Sequence, residues 1–372
     1  MERLLDYCKI TGSSVKKYDG VKKYIATGDV DINRIVSGTE VNYDEKPSRA
    51  NVIGEIGDVC FAKMKDTVKV VLIDEETQKN IYSTGFCFLQ TNEQMNNDFL
   101  YWYLLSDKFN SQKNRESSGA TQKAINNEGL SKILITEVPP IDVQIKVVDK
   151  LDNLNKIIEI KQKQLNNLDE LVKSQFIEMF GDIAVNMNQF KTKYFNEIAT
   201  IDTKMVKDFY QYADYPHIGI ENIEKHTGKI INYKLIKDSN LVSGKYIFNE
   251  QNIIYSKIRP NLNKVATPKF KGLCSADAYP ILAKENINKE YLAFILRSQF
   301  FLNYILGQSD RTNIPKVNKE QLNRFKLPVP PIELQNKFAD FVQHIDKLKI
   351  ELQESLEKLK ECQNALMDKY FG

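Results

Sequence analysis

Along two stretches of the chain, apolar residues recur at alternating spacings of three and four, the period of a helix that buries one stripe. With Gln144 at heptad position a, Leu151, Ile158, Leu165, Val172 and Met179 fall at a, and Val147, Leu154, Lys161, Leu168 and Gln175 at d. Counting on by 191 residues places Gln335, Val342, Lys349, Leu356, Gln363 and Tyr370 at a, with Phe338, Ile345, Leu352, Leu359 and Leu366 at d. Eight of eleven seam positions are apolar in each stretch, so each predicts a long helix whose stripe must be covered. Segments 138–181 and 329–372 align without a gap and share 14 of 44 positions. These include the opening Val-Pro-Pro-Ile, the Gln three residues later and the closing Phe-Gly. Self-similarity at a fixed offset marks a duplicated unit.

The proline pairs, Pro139 with Pro140 and Pro330 with Pro331, suit an extended approach and a first helical turn, where a missing amide hydrogen costs little. Gly181 reads as a helix C-terminal residue. Helices of about 38 residues span roughly 55 Å at 1.5 Å per residue. Two matching stripes in one chain predict an antiparallel coiled coil within it. Its seam is formed by Leu151, Leu154, Ile158, Leu165, Leu168 and Val172 with Ile345, Leu352, Leu356, Leu359 and Leu366. The alternative is a homodimer, either a DNA-binding or a scaffold protein, joined through the same stripes. Aligned end to end, Lys161 would face Lys349, so a shifted register or side chains extended to water are expected.

Outside these connectors the period changes. Short β-like runs (68–74, 86–90, 229–233, 253–257) alternate with turn residues, and each region ends in a helical stretch, 98–106 and 289–298. Looser similarity links residues 24–30 to 217–223 and 57–63 to 251–257. The predicted fold class is α+β, with two mixed α/β domains (1–137 and 182–328), two helical connectors (138–181 and 329–372) and an internal pseudo-twofold repeat. Trp102 and Tyr103 sit in an apolar helical run and read as core.

Composition adds limits. At 42% hydrophobic and 27% charged, the 372 residues have the balance of folded domains rather than of a disordered chain. With no run of 18 apolar residues and no signal-peptide core at the start, a cytoplasmic protein without a membrane partner is expected. Cys8, Cys60, Cys87, Cys274 and Cys362 are scattered and never form C-x-x-C, so buried free thiols are expected. No cysteine or second histidine lies at ligand spacing from His217, His226 or His344, so no metal site is expected. Charge separates the two domains: residues 182–328 carry 22 Lys+Arg against 14 Asp+Glu, whereas residues 1–137 carry 18 against 20. The second can attract phosphate through its bulk field; the first needs a local patch.

No methyltransferase tetrapeptide (N-P-P-Y or D-P-P-Y), methyl-donor glycine motif, phosphate loop or nucleophile elbow is present in the sequence. Asp58 with Lys63 is too sparse to make a nuclease centre. The chain reads as catalytically empty, with two domains that bind and no residues that react.

The repeated Pro-Pro-Ile-x-x-Gln, followed by a heptad helix ending in Phe-Gly, resembles the specificity subunits of Type I restriction-modification systems along the whole chain. In that family each recognition domain closes with a small-residue loop, a few polar positions and a Leu before the proline-bearing connector. Residues 117–125 with Leu130, and residues 307–316 with Leu322, occupy those places. The second copy departs from the pattern at Ser309, Asp310 and Arg311. The resemblance implies a non-catalytic subunit bound to double-stranded DNA, to two methyltransferase subunits and to translocating endonuclease subunits. S-adenosylmethionine and ATP would then be held by those partners, and adenine N6 methylation would be directed to an asymmetric two-part site. Two readers about one helical turn apart, roughly 34 Å, could share one face of the duplex, and a connector of about 55 Å can span that.

For DNA contact the residues point first to 255–264, where Lys257, Arg259 and Lys264 supply charge and Asn261 and Asn263 supply paired donors and acceptors. Arg suits guanine O6 and N7, and Asn suits adenine N6 and N7. Pro260 would hold this loop in shape. Arg311, Thr312, Asn313 and Lys316 form a second candidate loop, with Ser118, Thr121, Gln122 and Lys123 as its counterpart in the first domain. Lys63 and Lys65 match the neighbourhood of Lys257 and Arg259. Most of these would touch phosphate, which positions a protein without specifying sequence.

Overall fold

In the computed structural model, which describes residues 2–135, 137–308 and 316–372, the two heptad stretches are continuous helices, Ile141–Phe180 and Ile332–Phe371. Each begins directly after its proline pair, where a ring in place of an amide hydrogen leaves no bond unmade. Gly181 ends the first at φ +68°, its amide donating to the Ile177 carbonyl at 2.8 Å, a left-handed stop that favours glycine. Among the described residues no helix is long and apolar enough to cross a membrane.

The chain divides into two compact units, Met1–Lys163 with Gln353–Gly372 and Gln164–Leu352, so each unit holds one mixed domain and a part of both long helices. Within the first unit a four-stranded antiparallel sheet has the order Val70–Leu72, Val59–Ala62, Phe86–Thr91, Cys8–Thr11. A five-stranded sheet runs Ser13–Ser14, Ala50–Ile53, Ile81–Ser83, Lys22–Ile25, Thr39–Val41, with one parallel pairing, Ile81 to Tyr24. The second unit repeats both orders, as Val265–Ala266, Asn252–Ser256, Ala278–Ala283, Ala199–Ile201 and as Met205–Val206, Lys245–Phe248, Gly272–Cys274, Pro216–Ile218, Lys234–Leu235. Its parallel pairing is His217 to Leu273. The loose sequence match is therefore a structural one. Ala26 donates its amide to Asp29 at 2.8 Å and Gly219 donates to Asn222 at 2.8 Å, closing the same short turn twice.

A helix pair follows the strands in each unit: Asn97–Leu105 and Asp107–Glu116, then Lys289–Arg297 and Gln299–Gly307. Asn96 and Asn288 cap the first helix of each pair, and Ser106 and Ser298 cap the second, each side chain taking amides the helix would otherwise leave unmade. Trp102 and Tyr103 are buried here; the indole donates to Asp152 at 2.8 Å and the phenol to the Leu134 carbonyl at 3.0 Å.

The long helices pair inside each unit. In the second, Phe176 and Phe180 meet Phe338 at ring separations of 5.2 and 5.5 Å, while Lys349 bonds Asp169, so one helix runs back as the other runs forward. In the first, Phe371, Leu366 and Met367 lie in the core that holds Val147, Val148 and Leu151. Every residue assigned to helix pairing is buried or half-buried: Leu151, Leu154, Ile158, Leu165, Leu168, Val172, Ile345, Leu352, Leu356, Leu359 and Leu366. The register is shifted: Lys349 faces Asp169, two turns beyond Lys161, and like-charge contact is replaced by an ion pair. Phe176 and Phe180 lie off the a and d positions yet are buried, because the helix there also covers the domain core formed by Tyr291 and Leu292.

Four cysteines are buried free thiols, whereas Cys362 is exposed on the second long helix, contrary to the expectation for all five. Burial pushes the Cys8 and Cys87 thiols up to about 12, so they stay protonated and unreactive near neutrality.

Candidate nucleic-acid interface

In the first domain the strand Val59–Ala62 continues into residues 63–65, which pair with residues 123–125. Met64 bridges Ala124, the Ile125 amide donates to the Lys63 carbonyl at 3.0 Å, and the Lys65 amide donates to the Lys123 carbonyl at 2.9 Å. Ser118 and Ala124 exchange two further bonds at 3.0 Å, folding residues 118–124 into a tight loop. Gly119 makes that loop possible: at φ +134°, an added Cβ would stand 2.5 Å from the Gln122 carbonyl oxygen. Lys63, Lys65, Ser118, Thr121, Gln122 and Lys123 are thereby brought to one edge, with Lys63 half-buried and the other five exposed. An open recess of about 640 Å³ lies beside them, lined by Lys63, Ser118, Asn126, Asn127 and Glu128.

The second domain builds the same edge. Ile258 bridges Lys316, and the Val317 amide donates to the Lys257 carbonyl at 2.7 Å. Arg311, Thr312 and Asn313 lie outside the described residues. Arg259 is exposed at φ +49°, ahead of a short 3-10 turn, Pro260–Leu262, that Asn263 closes at φ +45°. Two non-glycine residues in left-handed conformation around one proline make a strained loop, and strain of this kind concentrates at binding sites. Asn261 is exposed at its tip.

Asn263 does not join Asn261. It is 7% exposed, and its amide nitrogen donates to the Arg297 carbonyl at 2.7 Å while its own carbonyl accepts the His226 amide at 3.2 Å. Its assignment to base reading is corrected to that of a brace, because a buried amide must meet its bonds inside the protein. The Lys264 ammonium likewise bonds the Ile220 carbonyl at 2.8 Å. Lys257 is half-buried with its ammonium 5.0 Å from the Tyr279 ring centre. Burial draws its pKa down, and Lys316 and Lys319 push the same way. The Asp277 carboxylate lies 3.5 Å from Lys316. Among the described residues, Lys257, Lys316 and Lys319 stand around the one acid, Asp277, an excess of positive charge.

Asp277, Tyr279 and Lys319 were not singled out by sequence reasoning. They come from a turn, the strand after it and a helix start further along the chain, and only the fold places them beside Lys257. In the first domain Gly85 stands where the second has Asp277: the Lys63 amide donates to Gly85 and the Lys257 amide to Asp277, both at 2.9 Å. A second recess in the first unit, about 630 Å³, is lined by Asp74, Glu76, Asp98 and Asp152 with Lys23 and Arg34. Burial and the neighbouring Asp152 hold the Asp98 carboxyl above its ordinary value. That recess is acidic and unsuited to phosphate, so the Lys63 edge is the better candidate surface of this domain.

Known proteins match this duplicated layout. The chain is 26% identical over 314 residues to the Escherichia coli Type I restriction enzyme EcoDI specificity subunit, covering 74% of this chain and 69% of the relative. It is 21% identical over 315 residues to the MjaIX specificity subunit of Methanocaldococcus jannaschii, covering 77% and 70%. The solved Type-I restriction-modification system S subunit from M. genitalium superposes with a TM-score of 0.59 at 14% identity, over 99% of this chain and 94% of that one. A chain solved to explain complex assembly and conformational transition of the type I R-M system gives 0.57 at 16% identity, over 98% and 97%. The family model described as "Type I restriction modification DNA specificity domain" matches residues 4–170 and again residues 187–361, so this chain belongs to the Type I restriction-modification specificity subunit family and carries two copies of its domain.

Proposed function

We propose that the chain reads a two-part, asymmetric DNA sequence, one part with each domain, and positions methyltransferase and endonuclease subunits on it without catalysing either reaction. The observation that carries this reading is the edge built twice, residues 63–65 against 123–125 and residues 257–259 against 316–317, each presenting lysines beside exposed polar side chains. Two unlike copies of one edge suit two unlike half-sites. S-adenosylmethionine and ATP belong, in this reading, to two methyltransferase subunits and to the endonuclease subunits. The burial of Leu165, Val172, Ile345 and Leu356 within the chain favours it over a homodimeric scaffold joined through those same seam residues.

A map of methylated adenines in the host's DNA tests the proposal. The expected motif has two specified parts separated by an unspecified gap, and Arg259→Ala should relax one part while the other keeps its sequence. Relaxation of both parts, or a continuous motif, would overturn independent reading by two domains.

A further inference from the structure

Each candidate edge is the turn between two strands of the four-stranded sheet, residues 63–69 in the first domain and 257–264 in the second. Lysines on such a turn can meet bases or phosphates in a fixed register only if the turn itself is fixed. Most of its backbone lies at the surface, so something beneath must hold it.

In the first domain the holder is Lys113, in the second helix of the pair. Its side chain is 1% exposed, and its ammonium donates to the carbonyls of Ala62 at 3.4 Å and of Thr67, the two shoulders of the turn. Asn114 adds a two-point clamp, accepting the Asp66 amide and donating to the Asp66 carboxylate, both at 2.9 Å. Asp66 needs that clamp, because it stands at φ +57°. The Lys113 carbonyl also accepts the Ser117 hydroxyl at 2.7 Å, tying in the start of the second loop. One helical turn therefore holds both strands of the edge that carries Lys63, Lys65 and Lys123.

The second domain reaches the same end from another position. Its capping serine, Ser298, stands 192 residues beyond Ser106, and at that offset Lys113 becomes Ile305, fully buried in the core. The cation has moved to the first helix of the pair, where Arg297 stands in place of Leu105. The Arg297 Nε donates to the Val265 carbonyl at 3.0 Å, at the far shoulder of the turn, and its backbone carbonyl takes the Asn263 amide. Ionised side chains are seldom buried without reason, because desolvation costs several kcal/mol. Here Lys113 is buried and Arg297 half-buried, each under its own turn, at different helix positions, bonded to carbonyls at the shoulders of that turn.

We propose that Lys113 and Arg297 are positioning residues for sequence recognition, each setting the geometry of its own domain's DNA-reading edge without touching DNA. The proposal rests on the two-part reading above. The test uses the full chain with its methyltransferase subunits, a duplex carrying the motif mapped for the unaltered protein, and duplexes with either part substituted. Lys113→Met should reduce discrimination about tenfold at one part, equivalent to roughly 1.4 kcal/mol, and leave the other part intact. Arg297→Met should do the reverse.

For both variants the slope of log Kd against log salt should stay unchanged, since neither side chain neutralises a phosphate; loss of one phosphate contact lowers it by about 0.9. Asn114→Ala, which removes only the Asp66 clamp, should show the one-part loss in milder form with an unaltered unfolding midpoint, and it decides the matter if Lys113→Met does not fold. Equal losses at both parts, no loss in either variant, or a reduced salt slope would overturn the proposal. An unaltered protein that discriminates at neither part would overturn the two-part reading itself, and this inference with it.

Discussion

The side-chain carbonyl of Gln144 accepts the backbone amide of Asn96 at 2.8 Å, joining the start of the first long helix to the cap of the helix pair. The Gln144 amide nitrogen donates to the carbonyls of Gln94 and Pro139 at 2.8 and 2.7 Å. Gln335 repeats the arrangement on Asn288 at 2.9 Å, Pro330 at 2.8 Å and Asn286 at 3.4 Å. Both glutamines are 0% exposed. The heptad assignment makes them polar intruders at position a; the structure shows them as joints between domain and connector. Gln144→Leu keeps the volume but strands an amide and two carbonyls, so a loss of about 2–4 kcal/mol is expected, at 1–3 kcal/mol for each unmet group with partial relief by water. Urea unfolding measures it. A change under about 0.5 kcal/mol would show that the joint is ornamental, and Gln335→Leu should behave alike.

The repeat, the helices and the polar edge residues were legible because they depend on local period and on residue type. The register of the helix pair was not, because an apolar stripe says what must be covered and not which residue covers it; Lys349 finds Asp169 through the packing of Phe338 on Phe176 and Phe180. Asn261 and Asn263 look equivalent as sequence, two residues apart in one loop. Only the left-handed turn around Pro260 sends one outward and the other inward. The burial of Lys113 is illegible for a related reason: in a polar helix, nothing in the sequence distinguishes a buried lysine from a solvated one.

The seams and the ion pair of the long helices should differ sharply in weight. Leu165 and Leu356 are 8% and 4% exposed, and an aspartate at either position buries a charge while removing apolar contact. Leu165→Asp and Leu356→Asp are each expected to cost about 3–5 kcal/mol and to abolish assembly with methyltransferase subunits, as read by urea unfolding and by co-purification. Asp169→Ala removes only the exposed partner of a half-buried Lys349, so its cost should be under about 1 kcal/mol. Intact assembly in the double aspartate variant would remove the helices from any part in it.

Lys113 gives stability a pH dependence whose sign follows from its burial. Desolvation lowers its pKa from 10.5 to about 8, opposed by the Asp66 carboxylate. Between those values the unfolded chain binds a proton that the folded protein has released, so this group makes stability rise with pH from about 8 towards 10.5, and contributes no slope below about 7. The rise between pH 8 and 9 should approach roughly 1 kcal/mol. Subtracting the curve of Lys113→Met isolates it and cancels the opposite trend from Cys8 and Cys87, whose raised thiols destabilise the fold as unfolded cysteines ionise. A flat or falling difference between pH 7 and 9 would contradict a desolvated ammonium at this position.

The two asparagines of the second edge separate recognition from stability within one loop. Asn261 is exposed, so Asn261→Ala should leave unfolding within about 0.5 kcal/mol of the original; if the side chain reaches a base, it should lower affinity for the cognate duplex by about 1–3 kcal/mol. Asn263→Ala loses the bond to the Arg297 carbonyl and places alanine at positive φ, which together cost about 2–4 kcal/mol. Asn263→Gly tolerates the backbone and loses only the bond, so it should fall between the two in stability. If Asn263→Gly disturbs DNA affinity while Asn261→Ala does not, the loop works through its shape, and contact by its tip is refuted. The opposite result assigns the contact to Asn261 and leaves Asn263 the task of holding Arg259 and Asn261 where the left-handed turn has put them.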